Sequence, residues 1–116
     1  VFDAMNSLKE KIKYSFFEDY VTGTPFKQML EEAKNFCTDK PFGLELDMDA
    51  IQQMGSSAIS PCGFSLLEAR AYVNYFSGLK NCQYIHICEG APLHELHYNQ
   101  VAKAISYLVS DVISKA

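Results

Sequence analysis

Residues 42–49, Phe-Gly-Leu-Glu-Leu-Asp-Met-Asp, alternate between apolar and small or acidic side chains, and a period of two is the signature of a strand. Phe42, Leu44, Leu46 and Met48 fall on one face, and Gly43, Glu45, Asp47 and Asp49 on the other, so the second face turns acidic toward the carboxyl end. The flanking segments change period. Before the strand, Thr24 as N-cap and Pro25 at the first helical position lead into Phe26, Met29, Leu30, Ala33, Phe36 and Cys37 on one 3.6-period face. After it, the small-residue loop Gly55-Ser56-Ser57-Ala58 runs through Pro61 and Gly63 to the capping box Ser65-Leu66-Leu67-Glu68. A helix with the face Leu66, Ala69, Val73 and Phe76 follows, and Gly78 stands at its C-terminal cap position. Tyr84 to Cys88 is a short apolar run of the kind found in buried parallel strands. Val101, Ile105, Leu108, Val109 and Val112 then give a long amphipathic C-terminal helix. Helices alternating with strands predict an α/β fold with a parallel sheet, helices on both faces and right-handed crossovers. Such sheets collect ligands at the carboxyl ends of their strands.

The rest of the chain bounds this reading. With 116 residues and 48% hydrophobic content it can bury one modest core, and no repeat or linker divides it, so residues 1–116 read as a single unit. The net charge of −4 offers no basic field for phosphates, which excludes nucleic acid as an expected partner. No apolar run approaches the roughly 20 residues of a membrane helix, and no signal layout opens the chain, so neither a membrane association nor secretion is expected and a cytoplasmic location is. The start at Val1, without an initiator methionine, hints that something upstream has been removed or omitted. Cys37, Cys62, Cys82 and Cys88 form no C-x-x-C pair and read as free thiols. Ser7-Leu8-Lys9-Glu10 has the form of a capping box that opens a short helix, while Ile12 to Val21 is open between strand, turn and helix.

Asp47 and Asp49 lie two apart at the end of the expected strand, so their oxygens converge, and two anions held that close call for a cation between them. Oxygen donors suit hard divalent ions such as Mn²⁺ or Mg²⁺. Glu89, at the end of the next strand, belongs to the same rim. An isolated D-x-D more often simply ends a strand.

Three blocks alter that balance. Leu46-Asp47-Met48-Asp49-Ala50-Ile51 resembles the Phe-Asp-Ile-Asp-Ala-Leu block of the ureohydrolases, the family of arginases, agmatinases and formimidoylglutamases. Pro61-Cys62-Gly63-Phe64-Ser65 resembles its Pro-x-Gly-Gly-Leu turn, and His86-Ile87-Cys88-Glu89-Gly90-Ala91-Pro92 its Asp-Leu-Val-Glu-Val-Asn-Pro segment. Together these cover about residues 42–114, and they look most like the formimidoylglutamase or arginase-like branch. The resemblance implies the C-terminal portion of a three-layer α/β/α domain with a parallel sheet, in an enzyme that hydrolyses a guanidinium or amidine C–N bond with a pair of Mn²⁺ ions. It implies Asp47 and Asp49 as metal ligands and Glu89 as the carboxylate facing a small guanidino or formimidoyl substrate. A portion of such a sheet exposes a strand edge and a helix face, so self-association into a homo-oligomer is expected.

The departures from the pattern are specific. Gln52 replaces an acid, and His86 replaces an Asp at a position expected to be buried. The family's Gly-Gly-x-His and Asp-Ala-His-x-Asp segments have no counterpart in residues 1–41, so the chain alone is expected to lack a complete site and turnover. The alternative is a stand-alone, non-catalytic α/β binding or assembly module.

Other candidates are weaker. His94-Glu95-Leu96-His97 resembles the zinc-protease motif but is one residue too short, and reads as the polar start of the last helix. Cys88, on an apolar strand beside an acid, reads as a core thiol rather than a nucleophile. Tyr14, Phe16, Phe17 and Tyr20 read as packing, and Glu45 either as a site residue or as the partner of a Lys or Arg.

Overall fold

A computed structural model describes residues 2–8, 10–37 and 39–115 and divides the chain into two compact units, residues 1–39 and 40–116, where one had been expected.

The first unit is helical: α1 spans Phe2–Ser7, α2 Phe17–Val21 and α3 Phe26–Cys37. Ser7 ends a helix instead of opening one. Its hydroxyl donates back to the Ala4 carbonyl at 2.8 Å, the local bond that competes with an N-cap role; Lys9 of that expected box lies outside the described residues. The open segment resolves into α2, where the Asp19 carboxylate accepts the Phe16 N–H at 3.3 Å. Its aromatic rings pack on one another, with centroids 5.2 Å apart for Tyr14 and Phe16 and 5.9 Å for Phe17 and Tyr20. In α3 the first helical bond runs from the Met29 N–H to the Pro25 carbonyl, so the helix begins one residue later than expected. Of its apolar face, Leu30 is buried while Phe36 and Ala33 are exposed.

The second unit carries a two-stranded parallel sheet. Strand β1 (Phe42–Asp47) pairs with β2 (Cys82–Cys88), setting Leu44 against Ile85, Glu45 against His86 and Asp47 against Cys88. Helix α4 (Leu66–Ser77) makes the crossover, packs on both strands, and also packs against α5 (Glu95–Ile113). The box that opens α4 forms as expected: the Glu68 N–H donates to Ser65 Oγ at 3.1 Å, and the Ser65 N–H donates to Glu68 Oε1 at 2.9 Å. Gly78 occupies the C-cap, but in a right-handed conformation that other residues adopt equally well. Leu44, Leu46, Ala69, Val73, Phe76, Val101, Ala104 and Leu108 are buried, a core drawn from β1 and both helices.

The strands differ from expectation in two ways. β1 stops at Asp47 because the next three residues, Met48–Ala50, curl into a 3-10 turn, with the Asp49 N–H donating to Asp47 Oδ1 at 2.8 Å. Met48 nevertheless stays fully buried. β2 is not buried on both faces. Ile85 and Ile87 are partly covered, whereas Tyr84 and His86 share an exposed face with Gly43 and Glu45. An antiparallel strand can be half wet; a parallel one with an open face lacks the second covering layer that its apolar composition suits. In α5, Asp111 is buried where only apolar residues had been foreseen, and it takes a bidentate ion pair from Arg70 of α4 at 2.8 and 2.9 Å.

Candidate metal and substrate site

The carboxyl end of β1 delivers Asp47 to the rim, and the 3-10 turn that follows places Asp49 beside the loop that returns from residue 55. Asp49 Oδ1 accepts the Ala58 N–H at 2.8 Å. The Ser57 hydroxyl lies 3.4 and 3.2 Å from the two Asp49 oxygens and makes a short contact with Glu89 Oε2. Asp49 and Glu89, 40 positions apart in sequence, thus meet on one hydroxyl. A hydroxyl has a single proton and can satisfy one carboxylate at a time. The mutual repulsion of two anions at such range is relieved by a shared proton or a bound cation.

Glu89 is held by its backbone. It sits just past β2 with φ +65°, a left-handed conformation that costs a side-chain-bearing residue energy and persists where the surroundings enforce it. The Ser57 N–H donates to the Glu89 carbonyl at 3.0 Å, Ser56 bridges Gly90 in antiparallel fashion, and the Ala91 N–H donates to the Gly55 carbonyl at 3.0 Å. The turn at Pro61-Cys62-Gly63 is stitched to the same region. The Phe64 N–H donates to the Ala50 carbonyl and the Gln52 N–H to the Phe64 carbonyl, both at 2.9 Å. A Cβ on Gly63 would lie 2.7 Å from the Ala50 oxygen, so only glycine allows that approach.

Electrostatics mark the same place. The carboxyl of Asp49 is held below the ordinary range, first by the Ser56 hydroxyl and then by the Ala58 N–H and the Ser57 hydroxyl. Ser56 Oγ is itself buried without a well-formed hydrogen bond, so its effect is that of a nearby dipole. The Cys88 thiol is pushed up, first by burial and then by Asp47, Glu89, Glu45 and Asp49. The raised thiol keeps Cys88 protonated, unsuited to nucleophilic attack.

Two expectations change here. His86 is exposed, not buried, and its Nδ1 lies 2.6 Å from Glu45 Oε2, while the Tyr84 hydroxyl donates to Glu45 Oε1 at 3.2 Å. The partner of Glu45 is therefore a histidine from the neighbouring strand, brought there by register, and not a Lys or Arg. His94 and His97 stack with centroids 3.9 Å apart and planes 30° from parallel, a ring contact between the N-cap and the first turn of α5.

The oxygens of Asp47 and Asp49 are of the hard type that Mn²⁺ takes. Their number falls short: among the described residues no group of three or more His, Cys, Asp or Glu side chains is placed to hold a metal ion. Ser57, which the sequence reading passed over, joins the two acids. Ser57 was visible only as one of several small loop residues.

No protein-family profile and no curated protein matches the sequence. Solved structures do match. The arginase of Bacillus caldovelox superposes with a TM-score of 0.75 at 18% identity, over 100% of this chain and 40% of that one. The Entamoeba histolytica arginase, solved with L-ornithine, gives 0.71 at 23% identity, over 94% and 39%. The Trypanosoma cruzi formiminoglutamase, solved with Mn²⁺, gives 0.65 at 22% identity, over 74% and 30%. The chain has the arginase-like α/β fold, and it spans between 30% and 40% of the length of these structures.

Proposed function

We propose that this chain supplies the C-terminal portion of a manganese-dependent ureohydrolase domain, acting on a small guanidino or formimidoyl substrate and inactive without the remainder of the site. The observation that carries the reading is the junction of Asp49 and Glu89 on the Ser57 hydroxyl, at the carboxyl end of parallel strands in an arginase-like fold. Two acids drawn that close leave room for positive charge, which a divalent ion on one side and a cationic substrate group on the other would provide. The partial coverage of the matching structures supports the view that further donors come from elsewhere in the domain.

Within that domain, Asp47 and Asp49 would hold the metal side, and a bound manganese pair would supply a water acidified enough to attack a planar carbon near neutral pH. Glu89 would hold and orient the guanidinium or amidine group by charge-assisted hydrogen bonds. The backbone bond from Ser57 fixes Glu89 at a set spacing from Asp49. The same reading carries a homo-oligomer in the cytoplasm, with no nucleic acid or membrane partner.

The test is hydrolysis of guanidino and formimidoyl compounds by the gene product that contains this chain, with Glu89→Gln as the variant. Losing one charge at a substrate-binding carboxylate weakens substrate binding by about 1.5–3 kcal/mol, read as a raised KM with manganese retained. Absence of hydrolysis in a manganese-loaded preparation overturns the reading.

A further inference from the structure

We infer that Gln100, on the inner side of α5, is the positioning residue that sets the Asp49–Ser57–Glu89 junction. The inference rests on the reading of Asp49 and Glu89 as the metal-side and substrate-side acids. The side-chain amide of Gln100 spans the loop that carries Ser57. Its Nε2 donates to the Gln53 carbonyl at 2.9 Å, and its Oε1 accepts the Gly55 N–H at 2.9 Å. Both ends of the amide are used, and both partners are backbone groups of the loop, so the pair fixes its position and its direction together.

What the clamp holds is a strained path. Gln53 has φ +53°, one of two described non-glycine residues with positive φ; the other is Glu89. Gly55 lies so near α5 that a Cβ there would come within 2.9 Å of the His97 Cβ and 3.0 Å of Val101 Cγ2. The loop is thereby pressed on the helix at Gly55 and locked by Gln100 on either side of Met54. From Gly55 the path to the acids is short: its carbonyl accepts the Ala91 N–H, Ser56 bridges Gly90, and Ser57 reaches Glu89 through its backbone and both acids through its hydroxyl. Helix α5 thus sets the separation of acids donated by two different strand ends, although no side chain of α5 joins the junction. An amide suits this task, because it meets one backbone donor and one backbone acceptor with a single neutral group.

The test is amide hydrogen exchange on the full chain, read residue by residue, with the side-chain carboxyl ¹³C shifts of Asp49 and Glu89. Gln100→Ala removes both bonds and is expected to speed exchange at Gly55, Ser57 and Ala58 by about tenfold or more, while amides of β1 and β2 are unchanged and both carboxyl resonances move. Gln100→Glu keeps the acceptor for Gly55 and loses the donor to Gln53, so it restores protection at Gly55 while the carboxyl resonances stay displaced. Leu108→Ala, which weakens the core without touching the loop, speeds exchange evenly and moves neither resonance. Unchanged exchange at residues 55–58 in Gln100→Ala, or even acceleration across the unit with unmoved carboxyl signals, overturns the inference. Neither readout involves manganese or turnover, so this result stands apart from the fate of the ureohydrolase reading.

Discussion

At the scale of single residues, Glu89 combines a charged side chain with a backbone that favours glycine. A left-handed conformation costs a residue with a Cβ about 1–2 kcal/mol relative to glycine. Glu89→Gly is therefore expected to exceed Glu89→Ala in stability by about 1 kcal/mol, measured by chemical denaturation; equal stabilities would show that the position is not strained. Gly63 gives the converse case. Its Cβ would meet a backbone oxygen and not a flexible side-chain tip, so Gly63→Ala is expected to cost about 1–3 kcal/mol and to loosen the turn against Ala50. Full stability in that variant would deny the close approach. Asp47, Asp49, Glu89 and Gly63 were each legible from sequence as residues of a resembling motif. The contacts of His86 and Gln100 were not, because strand register and helix rotation decide them and neither is written in a local pattern.

Among the elements, β1, α4 and α5 were readable because each shows a sustained period, while the carboxyl end of β1 was not. The polar face of 42–49 continues the alternation to Asp49, yet the Asp47 carboxylate captures the Asp49 N–H and turns the chain two residues early. Nor did periodicity reveal the join between α4 and α5. Arg70 pairs with buried Asp111 and lies over the Tyr107 ring at 4.7 Å from its centroid. The Arg70 guanidinium holds the Asp111 carboxyl below the ordinary range. A depressed carboxyl contributes stability that is present above its unfolded pKa and lost as pH falls through its folded value. Thermal stability should accordingly fall on acidification below about pH 4, and the fall should be shallower in Asp111→Asn; an identical acid limb in both would refute that role. Leu108, fully buried on α5, sets the scale of the core: Leu108→Ala is expected to lose about 2–5 kcal/mol.

For the molecule as a whole, a parallel sheet alternating with helices was legible; the open sheet face was not, and neither was the division into two units, since no change of composition marks residue 40. Among the described residues the sheet has two strands, each hydrogen-bonded on one side by the other, and one sheet face carries Tyr84, His86 and Glu45 to solvent. Unpaired strand edges and an uncovered face favour association. Sedimentation is expected to show concentration-dependent self-association of the chain, and a monomer at all concentrations would contradict this. No described helix is long and apolar enough to cross a membrane.

The central claim is that the acids at the end of β1 grip a divalent cation completed by donors outside this chain. Metal analysis of the gene product that contains the chain, purified with manganese and compared with its Asp47→Asn and Asp49→Asn variants, tests it most directly. The account predicts bound manganese in the parent and its loss in both variants. A parent free of manganese, or variants that retain it, would contradict the account.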